Sequence, residues 1–180
     1  MKPTALACAF LLLATSACGP KDDIPGQIAM DQINNMPDVV GKGALITCGT
    51  SVGTAYIRTY EDTDVFTRDQ IKKGHTDLIV ENTGSIDIRY RDALKTRSAA
   101  KDDATITLVH GDPKISSSFA VLESYDTKYG TDPVMIIREF SFGIKDDTQG
   151  IMLTMVARPD IGASGTTAKM LVSNCRRQSR

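Results

Sequence analysis

This chain of 180 residues contains no tryptophan and two histidines. It has no glycine-rich phosphate loop, no dinucleotide fingerprint and no paired-cysteine spacing for zinc, so those three sites have no sequence support. A Gly-x-Ser-x-Gly nucleophile elbow is also missing. No unit repeats at a fixed period, which disfavours a solenoid or propeller. Lys and Arg total 21 against 22 Asp and Glu, giving a formal net charge of −1. Nucleic acid is therefore not an expected partner, since it would require a basic face. Glutamates are few and aspartates many, which suits turns better than helices. No cofactor is expected.

One apolar run stands out at the start. Lys2 supplies a positive charge, Ala5 to Leu13 carries none, and Ala14-Thr15-Ser16-Ala17 are small. Charge, apolar core and small residues come in the order of a secretory signal. The run is too short to cross a bilayer, which needs about 20 residues.

The stretch Ala14-Thr15-Ser16-Ala17-Cys18 resembles the lipobox of bacterial lipoproteins, with Thr15 where that family favours Leu. The resemblance covers only about the first 20 residues. It implies cleavage before Cys18 and a diacylglycerol on the Cys18 sulfur, with a second acyl group on its amine. Two or more acyl chains give stable anchoring where one is marginal. Gly19 after the cysteine resembles the default for sorting to the outer membrane, which implies a lipid-anchored protein facing the periplasm. The bland alternative is an ordinary cleaved signal and a soluble product.

Cys8 leaves with the leader. Cys48 and Cys175 remain, an even pair in an exported chain, and read as a disulfide closing a loop of about 128 residues. A redox or metal pair lacks support, because neither cysteine has a Cys-x-x-Cys neighbour or a nearby histidine.

The expected organisation is a signal peptide over 1–17, a lipidated tether with a candidate short helix over 18–43, a β-domain over 44–175 and a basic tail over 176–180. In the tether, Ile28, Ile33 and Met36 fit one helical face loosely, and Pro37 ends the run. Strands are expected at 44–48 and 52–60, joined at Gly49, then at 76–81, 85–91, 105–110, 119–125, 134–144, 151–157 and 168–174. Segment 69–74 reads equally as a helical turn or a loop. The clearest alternation is Ser85–Arg91, with Ile86, Ile88 and Tyr90 on one face and Asp87, Arg89 and Arg91 on a wet one. Asn82-Thr83-Gly84 before it reads as a hairpin turn. Short strands with turn signals every 8–12 residues or so suggest an all-β fold, a single antiparallel sandwich or barrel, with a β-rich α+β fold as alternative.

Chemistry-bearing candidates are sparse. His75 and His110 each lie beside a glycine and an aspartate, and with Ser116-Ser117-Ser118 they are the handles for a hydrolase. Surface histidines at strand ends are the plainer reading. The pairs Asp62/Asp64, Asp102/Asp103 and Asp146/Asp147 could offer oxygens to calcium, but none fits the EF-hand loop, and paired aspartates commonly build turns. Arg89, Arg91, Lys95 and Arg97 form a basic stretch: a solvated face or a patch for an anionic partner. Arg176, Arg177 and Arg180 read as a disordered tail able to touch an anionic membrane.

The expected function is that of a cell-envelope lipoprotein, not an enzyme, whose β-domain binds another envelope protein or a cell-wall component. An inhibitor of a cell-wall hydrolase such as lysozyme, and an uncharacterised hydrolase, are the alternatives.

Overall fold

The computed structural model describes residues 36–58, 64–71, 74–91, 96–125, 134–158 and 167–179. These contain ten strands and no helix: β1 Ile46–Arg58, β2 Asp64–Ile71, β3 His75–Val80, β4 Ile86–Arg91, β5 Thr96–Ser98, β6 Ala104–His110, β7 Ser118–Tyr125, β8 Val134–Phe142, β9 Gln149–Arg158 and β10 Thr167–Arg177. The fold is all-β.

All described pairings are antiparallel, in the order β5-β4-β3-β1-β10-β9-β8-β7-β6. β2 and β3 share one edge of β1: β2 lies against Ser51–Arg58 and β3 against Ile46–Cys48. Two meanders, β1–β5 and β6–β10, are thus joined where β1 meets β10. The sheet curls into a half-barrel. Its two edges, β5 and β6, are consecutive in sequence. Ala99 N–H donates to the Ile88 carbonyl at 2.8 Å and Ala104 N–H to the Ala99 carbonyl at 2.9 Å, so this link is a tight turn. Asp103 takes a φ of 63° there, a conformation aspartate tolerates better than most residues.

The concave face holds the core. Ile46, Leu78, Ile88, Phe119, Val121, Phe140 and Met152 are fully buried. Each such large apolar side chain contributes about 1.5–3 kcal/mol by leaving water. Phe119 and Phe140 are register partners on β7 and β8, and their rings stack with centroids 4.6 Å apart. Cys48 and Cys175 sit directly opposite each other on β1 and β10 and are disulfide-bonded.

A bulge between Cys48 and Ser51 bends β1 beside this bond. Past it, Gly53 meets β10 so closely that a Cβ would lie 1.9 Å from the Met170 carbonyl oxygen. Only glycine permits that approach.

Several expectations need correction. The two strands expected around Gly49 are one strand, β1, because the bulge absorbs the glycine without ending the pairing. Segment 64–71 is a strand; its sequence lacks alternation, and Phe66 is exposed. β5 was unforeseen because three residues carry no periodicity. β8 ends at Phe142, leaving Ile144 97% exposed. The face of β4 opposite Ile88 is not uniformly wet: Asp87 is buried, as is Asp77 on β3. Arg176 and Arg177 are not a disordered tail. They end β10, and Arg177 is 2% exposed, its guanidinium carbon 3.8 Å from the Phe142 ring centroid and its Nη2 donating to the Ser116 carbonyl. Aromatic faces and a carbonyl accept a cation that the sequence pattern assigned to solvent. The curled antiparallel sheet fits the expected all-β barrel or sandwich class.

The turn at Asn82-Thr83-Gly84 is present: Gly84 has a φ of 85°, and Glu81 N–H reaches the Ser85 carbonyl at 2.9 Å. The candidate helix before Pro37, Cys18, Asp62, Lys95 and Arg180 lie outside the described residues.

Candidate functional site

The concave face also carries a polar cluster. Alternation on β7 and β8 turns Glu123 and Arg138 inward beside Val121 and Phe140. Glu123 is fully buried and Arg138 is 5% exposed. The Arg138 Nε donates to Glu123 Oε1, its Nη1 to Thr154 Oγ1 at 3.0 Å, and its Nη2 to the Tyr90 hydroxyl at 2.5 Å. Glu123 Oε2 accepts the hydroxyls of Tyr90 and Tyr125, the latter at 3.1 Å. Tyr90 reaches this point from β4, on the opposite wall of the half-barrel.

Burial raises the Tyr90 hydroxyl pKa, and the Arg138 charge only partly offsets this. Burial, with the Glu123 carboxylate, pushes Tyr125 up to about 12. Burial alone would lower the Arg138 pKa, but Tyr90 and Glu123 outweigh it and the net shift is upward. Both tyrosines are therefore neutral donors and Arg138 a fixed cation at neutral pH. The cluster clasps two walls together. A neutral-pH general base needs a pKa near 7, which neither tyrosine nor Arg138 has.

A cleft lies at the end of the half-barrel where β1 starts and β3 and β10 finish. It encloses about 390 Å³, within the range of small-ligand sites, and is lined by Val40–Leu45, Val80, Lys114 and Gln178. Its walls are pinned. Leu45 N–H donates to the Leu78 carbonyl at 2.9 Å, and Gln178 N–H to the Leu45 carbonyl at 2.8 Å. Gly41 N–H donates to Thr47 Oγ1 at 2.7 Å, and that hydroxyl donates to buried Asp77 at 2.6 Å. A Cβ on Gly41 would stand 2.8 Å from the Asp77 carboxylate. Among the described residues the lining contains Lys42 and Lys114, both exposed, and no acidic residue. Field lines from two ammonium groups in a concave surface favour an anionic group.

The anticipated basic stretch looks different in place. Arg89 holds Asp87 at 3.0 Å, Arg91 holds Asp77 at 2.8 Å, and Arg97 holds Asp102 at 2.9 Å. Each of these cations already faces a carboxylate, so the sequence overstated the charge this face offers. His75 and His110 are exposed at the ends of β3 and β6. Ser116 Oγ accepts from Asp112 N–H at 2.9 Å, shaping a turn. Thr148, through its hydroxyl and its N–H, donates to Asp146 and lowers that carboxyl's pKa. Among the described residues, no three His, Cys, Asp or Glu side chains are grouped to hold a metal.

The sequence reading missed Lys42 and Lys114. Their flanking glycines and Pro113 were visible as loops, but nothing local indicates that two loops 72 residues apart share one cleft. The Glu123–Arg138 pair left a better trace: Arg138 interrupts an otherwise apolar strand face, and such an interruption calls for a buried partner.

Comparison with known proteins found no matching family model, curated protein or solved structure.

Proposed function

We propose that this protein is a non-catalytic lipoprotein of the bacterial cell envelope whose β-domain binds another envelope component bearing anionic groups. The leader and Cys18 supply the address, most consistently the periplasmic face of the outer membrane. The observation that carries the binding role is the pinned cleft with Lys42 and Lys114 and, among the described residues, no acid in its lining. Cell-wall polymers and acidic envelope proteins both present the carboxylates such a cleft attracts.

The test is chemical crosslinking in intact envelopes. It compares the native protein, a Cys18→Ser form and a Lys42→Glu/Lys114→Glu form, with intact mass read on each. The native chain is expected to start at Cys18 with added lipid mass and to capture one dominant partner. Both variants are expected to lose that partner, the first by leaving the membrane and the second while remaining anchored. A mature mass without lipid refutes the address. Undiminished capture by the charge-reversed form refutes the cleft.

A further inference from the structure

We propose that the convex face of β8–β10 rests on the lipid surface of the membrane that holds the anchor. The inference rests on the reading of Cys18 as lipidated, and adds a second, weaker membrane contact made by the folded domain.

The face is built by register. Met170 on β10 stands opposite Met155 on β9, and Met155 opposite Ile137 on β8. Residues directly opposite point to the same side, so these three form a row straight across three strands. Met135 and Ile151 flank the row on the same side, as alternate residues of β8 and β9. Met170 is 47% exposed, Met135 45%, Ile151 40% and Ile137 38%. A contiguous exposed apolar patch marks a partner or a membrane.

The path of the chain decides between them. The Pro37 carbonyl accepts from Arg176 Nε at 2.9 Å. Arg176 lies six residues along β10 from Met170, an even step, and therefore projects from the same convex face. The connection back to Cys18 thus departs from the same convex face, about 20 Å along β10 from Met170. It comprises residues 19–36, whose covalent reach is at most about 65 Å. Anchored acyl chains would hold this face near the bilayer at an effective concentration on the order of millimolar, where a contact too weak to recruit a free protein is still populated. Exposed Glu139, next along β8 beyond Ile137, stands between the row and the level of Ile151, which pairs with Ser141.

The absence of tryptophan makes the test clean, because Met170→Trp places a single reporter on the face. The full lipidated chain is reconstituted in phosphatidylethanolamine–phosphatidylglycerol vesicles, with and without brominated acyl chains. The expected result is a blue-shifted emission that loses most of its intensity in brominated lipid, while an Ile115→Trp reporter at the cleft end stays solvent-like and unquenched. Ile137→Trp repeats the measurement should Met170→Trp fail to fold. Solvent-like emission overturns the proposal. So does a blue shift without bromine quenching, which means protein covers the face, or one that grows with protein concentration in the absence of lipid, which means a second copy does. If intact mass shows no lipid on Cys18, the anchor reading fails on that measurement alone. The Met170→Trp chain is then mixed with the same vesicles at high lipid, and absent quenching overturns the face as well.

Discussion

Replacing Arg138 and Glu123, singly and together, tests whether the polar cluster is a clasp that acts as a unit. Arg138→Met leaves a fully buried carboxylate with two tyrosine hydroxyls as its donors. Glu123→Leu leaves a buried guanidinium with Thr154 and Tyr90. Removing one partner of a buried ion pair costs about 3–5 kcal/mol, because the other charge stays desolvated. The double replacement removes both charges and fills the space with apolar atoms. Its residual cost is the Tyr90 hydroxyl left without its acceptor, about 1–3 kcal/mol, plus the lost bond to the buried Thr154 hydroxyl; half-buried Tyr125 turns to water. The double variant is therefore expected to be at least as stable as either single one, although independent costs would sum to about 6–10 kcal/mol. The assay is urea unfolding of the Cys18→Ser form with the disulfide intact, comparing midpoints at unchanged slope. A double variant destabilised by the full sum would refute the clasp.

Three further outcomes are expected. Tyr125 and Tyr90 should ionise late in an alkaline titration of tyrosinate absorbance, Tyr125 near pH 12 and Tyr90 later still. The folded pKa of Tyr125 lies above its unfolded value of about 10, so its contribution to stability is complete below pH 10 and declines as pH rises toward 12; loss of the late phase in neither a Tyr90→Phe nor a Tyr125→Phe form would contradict this. Converting Cys48 and Cys175 to serine should cost about 4–5 kcal/mol on the chain-entropy model for a loop this long, and an unchanged unfolding midpoint would show that the bond constrains little. Gly53→Ala should cost about 1–3 kcal/mol through its clash with the Met170 carbonyl, seen as a lower melting temperature; a neutral result would mean that β1 and β10 separate there freely.

The all-β class was legible because β4 and β8 alternate in sequence around Ile88 and Phe140, between short turn-bounded segments. The Cys48–Cys175 pairing was legible by elimination. β2 was hidden because its sequence, Asp64–Ile71, does not alternate apolar and polar residues. Arg177 was misread because sequence shows a charge and not the aromatic rings that receive it from β7 and β8. The cleft was invisible for a related reason: its lysines come from different loops, and their proximity exists only once the sheet has curled.

The junction of β1 and β10 has a consequence for how the chain is made. During synthesis β1 emerges before the other described strands and β10 after them, so one edge of β1 finds β2 and β3 nearby while the other waits for β10. Pairing across so long a separation is slow, because loop closure must precede any gain in contacts. The two meanders assemble from neighbours, and the seam between them closes at the end. The bond across that seam records completion. A stalled or truncated copy carries a free thiol at Cys48 beside an open strand edge, and only the finished chain conceals both.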